Sequence, residues 1–102
     1  MYKRTVLDSG VTVVTEEHRY QRAVAVGAFV LTGTRHEVER QMGISHFIEH
    51  MVFKGTRRRS AYEIARSIEA VGGDLNAFTT REYTCFHALS LKDHLALDVD
   101  VL

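Results

Sequence analysis

The sequence predicts an α+β fold, a two-layer sandwich with helices packed on one face of a mostly antiparallel sheet. Three observations predict it. Short runs rich in β-branched and apolar residues lie within residues 4–31 and recur within residues 74–91. Two segments between these runs, and one after them, carry apolar residues at the helical period. The resulting order is strands, two helices, strands, helix. Helices laid on one side of a sheet are the natural way to bury elements segregated like this.

Each element has its own warrant. Residues 4–8 and 11–15 flank Asp8, Ser9 and Gly10, which predicts a hairpin with a tight turn. Residues 23–31, AVAVGAFVL, form an unbroken apolar run of strand length around Gly27, which predicts a buried strand. TGTRHEVERQ is polar and reads as a loop leading into a helix. Within residues 41–53, Ile44, Phe47, Ile48, Met51 and Val52 fall at i, i+3, i+4, i+7 and i+8, the apolar stripe of a helix. KGTRRR breaks that pattern. Ser60 and Glu63 make an S-x-x-E capping box that opens a second helix. That helix is expected to bury Ala61, Ile64, Ala65, Ile68 and Val71 and to stop at Gly72 and Gly73. DLNAFTT and YTCFHALSL predict two more strands joined near residues 81–83. In KDHLALDVDVL, Leu95, Ala96, Val99 and Leu102 again stand at helical spacing. This last pattern is still running at the final residue, so residues 1–102 are expected to be a single partial domain.

Composition narrows the function. Thirteen basic residues balance thirteen acidic ones, for a formal net charge of zero. Nucleic-acid and anionic-membrane binders need excess positive charge, so neither partner is expected. No run reaches the roughly 18 apolar residues of a membrane span. The start, MYKRTVLDSGVTVV, has neither a long apolar segment nor a small-residue cleavage site, so no signal peptide is expected. The single cysteine, Cys85, cannot form an internal disulfide, which fits a reducing compartment, and a cytoplasmic location is expected.

The chemistry concentrates in GISHFIEHMVFKGT, residues 43–56. His46 and His50 stand one helical turn apart, so both imidazoles can reach one ion at the usual zinc–nitrogen distance of about 2.0–2.1 Å. With Ile44 as zero on a helical wheel, the apolar stripe spans about −60° to +80°, while Glu49, His46 and His50 fall near 140°, 200° and 240°. The trio is therefore expected on the face opposite the core stripe, pointing outward. Glu49 points slightly aside, where it can hydrogen-bond a metal-bound water instead of ligating the metal. H-x-x-E-H is H-E-x-x-H with the helix reversed. Chance places it about 0.03 times in a chain of this composition. The bland alternative, a solvated face with two ordinary histidines, does not explain why Phe53 shares that face near 180°.

MGISHFIEHMVFKGT followed by LNAFTTREYT resembles the pitrilysin family of zinc peptidases, on the branch of bacterial relatives of the mitochondrial processing peptidase β subunit. The likeness runs from KRTVLDSGVTVVTEE through the last helical segment. It implies a zinc-dependent metalloendopeptidase with one Zn2+ per site, His46 and His50 as ligands and Glu49 as the base that activates the zinc-bound water. It implies that LNAFTTRE lies along the cleft. Its strand would be an edge to which an extended peptide adds by β-augmentation, with Asn76, Ala77 and Phe78 contacting substrate. The expected substrate is a peptide or unfolded protein segment.

The resemblance also implies what is missing. Family members complete the zinc site with a glutamate much further downstream, expected beyond Leu102. They close a chamber with further domains or a partner subunit. Glu82, His87 and Cys85 are the local candidates for a third ligand, and nothing in their spacing marks them. This chain alone is therefore expected to be inactive and, with apolar surface and a sheet edge uncovered, to self-associate. Two alternatives remain: a non-catalytic peptide-binding or structural subunit of the same family, and an S-ribosylhomocysteine-lyase-like metalloenzyme using Cys85. The basic stretch Lys54, Arg57, Arg58 and Arg59 reads as a solvated loop between helices, or as a lure for acidic peptides at a cleft mouth.

Overall fold

In the computed structural model, which describes residues 2–102, the elements follow the predicted order. They are β1 (Tyr2–Val6), β2 (Thr12–Glu16), β3 (Ala23–Val30), α1 (Ile44–Met51), α2 (Ala61–Glu69), β4 (Asp74–Thr79), β5 (Thr84–Leu91) and α3 (Leu95–Val101). Single 3-10 turns at Thr34–His36, Glu39–Gln41, Val52–Lys54 and Lys92–His94 fill the connections. The polar stretch before α1 is thus two tight turns, and α1 is shorter than residues 41–53 because its ends relax into 3-10 geometry.

β1 and β2 form their own antiparallel hairpin, paired from Tyr2–Glu16 to Val6–Thr12. Gly10 closes the turn in the left-handed region (φ 94°), where a residue without Cβ is favoured. The other three strands make an antiparallel sheet in the order β3-β5-β4, so β3 and β4 are both edges. The β4–β5 reversal is built by Thr80, whose N–H donates to the Tyr83 carbonyl (2.8 Å) and whose hydroxyl accepts from Tyr83 N–H (3.0 Å).

The helices cover one face of this sheet. Along β4, Leu75, Ala77 and Thr79 are half-buried while Asp74, Asn76 and Phe78 are exposed, the two-residue alternation of a strand covered on one side. Cross-strand pairing puts Ala88 and Ser90 of β5 and Val24 and Val26 of β3 on the covered side. Ile64 and Ile68 of α2 are buried, and with Ala88 they form the core. Cys85 is buried on the other face, flanked in register by Phe29 and Phe78, with the Tyr83 ring 5.7 Å and 6.0 Å from theirs.

Several sequence expectations are corrected here. β3 is not a buried strand: Val24 and Val26 are half-buried, and Phe29, Val30 and Leu31 are exposed. Its apolar run would suit a strand covered on both faces, and only one face is covered here. On α2, Val71 at the end is half-buried, but Ala61 and Ala65 face solvent. On α3 the apolar stripe is also exposed; the side chain turned inward is Asp98, fully buried, whose Oδ2 accepts a 2.5 Å hydrogen bond from Ser90. The radius of gyration is 15.1 Å, against about 13 Å for a compact domain of this length. Much apolar surface therefore lies on the outside.

Two connections position the helices. Gly33 is buried against the β4–β5 turn so closely that a Cβ there would lie 2.3 Å from the Thr80 carbonyl oxygen. The next residues lock onto the same turn: Thr34 and Arg35 N–H donate to Thr80 and Arg81 carbonyls (both 3.0 Å), and Arg35 pairs with Glu82 at 2.6 Å. Beyond α1, Arg58 and Arg59 both bind Asp100 of α3, at 3.0 Å and 2.8 Å. Arg59 first, then Arg58, holds the Asp100 carboxyl below the usual carboxylate range. Two arginines of the basic stretch thus tie a loop to a helix.

Candidate metal centre

α1 cannot cap its own N-terminus. Its N-cap is Gly43, with φ 88° and no side chain to accept from the first amides. Glu37 reaches across the preceding turn instead. Its Oε1 accepts from Gly43 N–H (3.0 Å) and its Oε2 from Ser45 N–H (2.9 Å). Those two backbone donors, Ser45 first, lower the Glu37 pKa, as expected for a carboxylate at the positive end of a helix. The turn holding residues 33–37 therefore also fixes where α1 begins.

The orientation of α1 differs from the wheel expectation. Its inward positions are Ser45, buried, and Glu49 and Phe53, half-buried, at i, i+4 and i+8. The apolar stripe and the histidine pair flank that inward line, and both are exposed. The trio is therefore not a wholly outward face opposite a core stripe. Glu49 turns toward the sheet, where the hydroxyl of Thr79 donates to its Oε2 at 2.5 Å.

His46 and His50 converge. Their Nε2 atoms are 3.1 Å apart and their rings meet edge to face with centroids at 4.5 Å. One ring nitrogen from each histidine and one Glu49 carboxylate oxygen all lie within 4.8 Å of one another. Two nitrogens on one tetrahedral zinc, each about 2.0–2.1 Å from it, stand roughly 3.3–3.4 Å apart. The observed spacing needs only a small adjustment to accept the ion, so the donor set fits zinc. Two histidine nitrogens are also ligand chemistry that suits zinc, with the Glu49 carboxylate beside them.

The local third-ligand candidates are not brought to this place. Glu82 pairs with Arg35, and the His87 ring packs 5.7 Å from that of Phe78. Cys85 is enclosed in the sheet, and burial pushes its thiol pKa up, away from the thiolate a metal requires. That removes the feature on which the lyase-like alternative depended.

β4 is an edge strand, as a peptide-accepting strand must be. Thr80–Tyr83 is a hydrogen-bonded pair, so by antiparallel alternation Phe78, Asn76 and Asp74 bond to β5 while Thr79, Ala77 and Leu75 turn their backbone groups to the free edge. Asn76 Oδ1 accepts from Ala77 N–H at 2.9 Å, occupying one edge donor from within. The Asn76 and Phe78 side chains lie on the sheet face without helices, whereas Leu75, Ala77 and Thr79 share the helix side with Glu49.

The family model of Insulinase (Peptidase family M16) matches residues 12–102. The chain belongs to the M16 peptidase family. It is 49% identical over its whole length to a Bacillus subtilis protein described as the uncharacterized zinc protease YmxG, of which it covers 25%. It is 42% identical over 101 residues, 98% of the chain, to the mitochondrial-processing peptidase subunit beta of Dictyostelium discoideum, covering 21% of it. The crystal structure of a protease from Helicobacter pylori aligns with 99% of this chain and 24% of that one, at a TM-score of 0.94 and 25% identity. The chain thus spans no more than about a quarter of the length of these relatives. Its α+β layers are those of a protease fold, and its relatives are named zinc proteases.

Sequence reasoning missed two residues at this M16 site. Thr79 lies within LNAFTTRE, expected along the cleft, but its bond to Glu49 is revealed only by the tertiary meeting of β4 and α1. Glu37 had a faint signal: a helix opening on glycine needs an acceptor, and acidic residues stand just upstream.

Proposed function

We propose that this chain forms the N-terminal, metal-holding part of a zinc-dependent endopeptidase that cleaves peptides or unfolded protein segments. The observation that carries the reading is the 3.1 Å approach of the His46 and His50 Nε2 atoms beside the half-buried carboxylate of Glu49. His46 and His50 are the ligands, and the third comes from sequence beyond residue 102. A zinc ion held there would supply Lewis acidity, polarising the scissile carbonyl and lowering the pKa of a nearby water toward about 7. Glu49 holds the attacking water by a hydrogen bond, takes its proton, and passes that proton to the leaving amine. The free backbone groups of Leu75, Ala77 and Thr79 align the extended peptide beside Glu49. Pairing there takes the Ala77 N–H from the Asn76 side chain. Phe78 offers an apolar contact on the helix-free face.

The test separates metal from chemistry. In this chain, His50→Ala lowers zinc affinity by roughly tenfold or more, measured by titration after dialysis against a weak chelator. In the longer protease, Glu49→Gln keeps its zinc and loses roughly 10²–10⁴-fold in peptide hydrolysis. Wild-type cleavage by the Glu49→Gln enzyme would remove Glu49 from its role, and unchanged zinc affinity in His50→Ala would remove the ligand assignment.

A further inference from the structure

Glu49 lies at the meeting of two elements. Its carboxylate extends from α1 on three rotatable torsions, and on an open helix face such a group would visit many positions. Here one hydrogen bond restrains it, the donation from Thr79 Oγ1 to Oε2 at 2.5 Å, within the range of short charge-assisted O–H···O⁻ bonds. Thr79 suits this task. As a β-branched residue it has few χ1 choices, so its hydroxyl is held stiffly by the backbone of β4. That hydroxyl carries a single proton, and giving it to Oε2 leaves Oε1 as the acceptor open to water. The neighbouring Thr80 is otherwise occupied, since its hydroxyl accepts from Glu82 and Tyr83 N–H and builds the turn. The backbone of Thr79 meanwhile faces the free edge of β4. One residue therefore touches Glu49 through its side chain and the peptide-accepting edge through its main chain.

We propose that Thr79 is a positioning residue for peptide hydrolysis: its hydroxyl fixes Glu49 with Oε1 free and sets that oxygen in register with a peptide lying along β4. The inference rests on the proposed role of Glu49 as base.

The test uses Thr79→Val, nearly isosteric but without a hydroxyl, and Thr79→Ser, which retains it. In the longer protease, Thr79→Val lowers kcat by roughly 10–100-fold, with KM and zinc content unchanged, and Thr79→Ser restores most of the rate. A second readout needs no metal and no activity. In the metal-free 102-residue chain, the carboxyl carbon resonance of Glu49 moves in Thr79→Val and stays in place in Thr79→Ser. A wild-type kcat in Thr79→Val, an unmoved resonance, or a Thr79→Ser enzyme as slow as Thr79→Val overturns the proposal. Should Thr79→Val fail to fold, Thr79→Ala makes the same deletion with a smaller side chain. Glu49→Gln in the same background tells the two failures apart. If it is active, the base assignment falls; if it is dead while Thr79→Val runs at the wild-type rate, only the role of Thr79 falls.

Discussion

α1 and α2 are neighbours of similar length and similar amphipathic pattern, yet they are held by different means. α2 is self-sufficient. Ser60 accepts from Glu63 N–H at 3.1 Å to open it, and Ile64 and Ile68 are buried under it. Gly72 ends it at φ 73°, with Gly73 N–H returning to the Ile68 carbonyl and Gly72 N–H to that of Glu69, a Schellman closure. α1 borrows everything. Its cap comes from Glu37, its inward contact is the polar Glu49–Thr79 bond, and its apolar stripe faces out. One helix anchors the sheet, whereas the other presents polar chemistry and is aimed by outside groups. The lesson is that apolar periodicity identifies a helix but does not say which side of it meets this core.

That contrast can be broken in graded steps. The largest effect is expected in the core of α2. Ile68 is 1% exposed, so Ile68→Ala costs about 2–5 kcal/mol in denaturant unfolding. Phe47 on α1, 61% exposed, gives the opposite result: Phe47→Ser leaves stability within about 0.5 kcal/mol and lowers the expected self-association, read as a smaller mass by light scattering. An equal loss of stability at both positions would erase the distinction.

A smaller effect is expected at the caps. Ser60→Ala removes the side-chain acceptor that α2 supplies for itself and costs about 1 kcal/mol. The smallest effect, and the most local, is at Glu37. Its folded pKa lies below the ordinary 4.5, so its contribution is fully present above that pH and fades as pH falls through the lowered value. Hydrogen exchange below pH 4.5 should therefore show Gly43 and Ser45 amides losing protection before those of α2, and Glu37→Gln should reproduce that loss at neutral pH. If both helices open together under acid, the borrowed cap does not govern α1.

Legibility differed between fold and site for the same reason that the helices differ. The layers, the order of elements, the Ser60 cap, the glycine stop and the β4–β5 hairpin could be read from the sequence, because each rests on local periodicity or turn chemistry. The histidine pair could be read as well, since i and i+4 on a helix are neighbours whatever surrounds them. The burial of Asp98 in place of the α3 stripe could not, nor could the exposure of β3.

The sequence by itself determined that a helix would carry His46, Glu49 and His50 together and that the strand containing Asn76, Ala77 and Phe78 would follow. The edge position of β4 was expected from the resemblance; only the tertiary structure decided that Glu49 turns inward to Thr79 and that Glu37 holds the start of α1. Spacing along a helix fixes which side chains share a face through short-range geometry. Which way that face points depends on contacts between residues far apart in the chain, 30 positions in the case of Glu49 and Thr79.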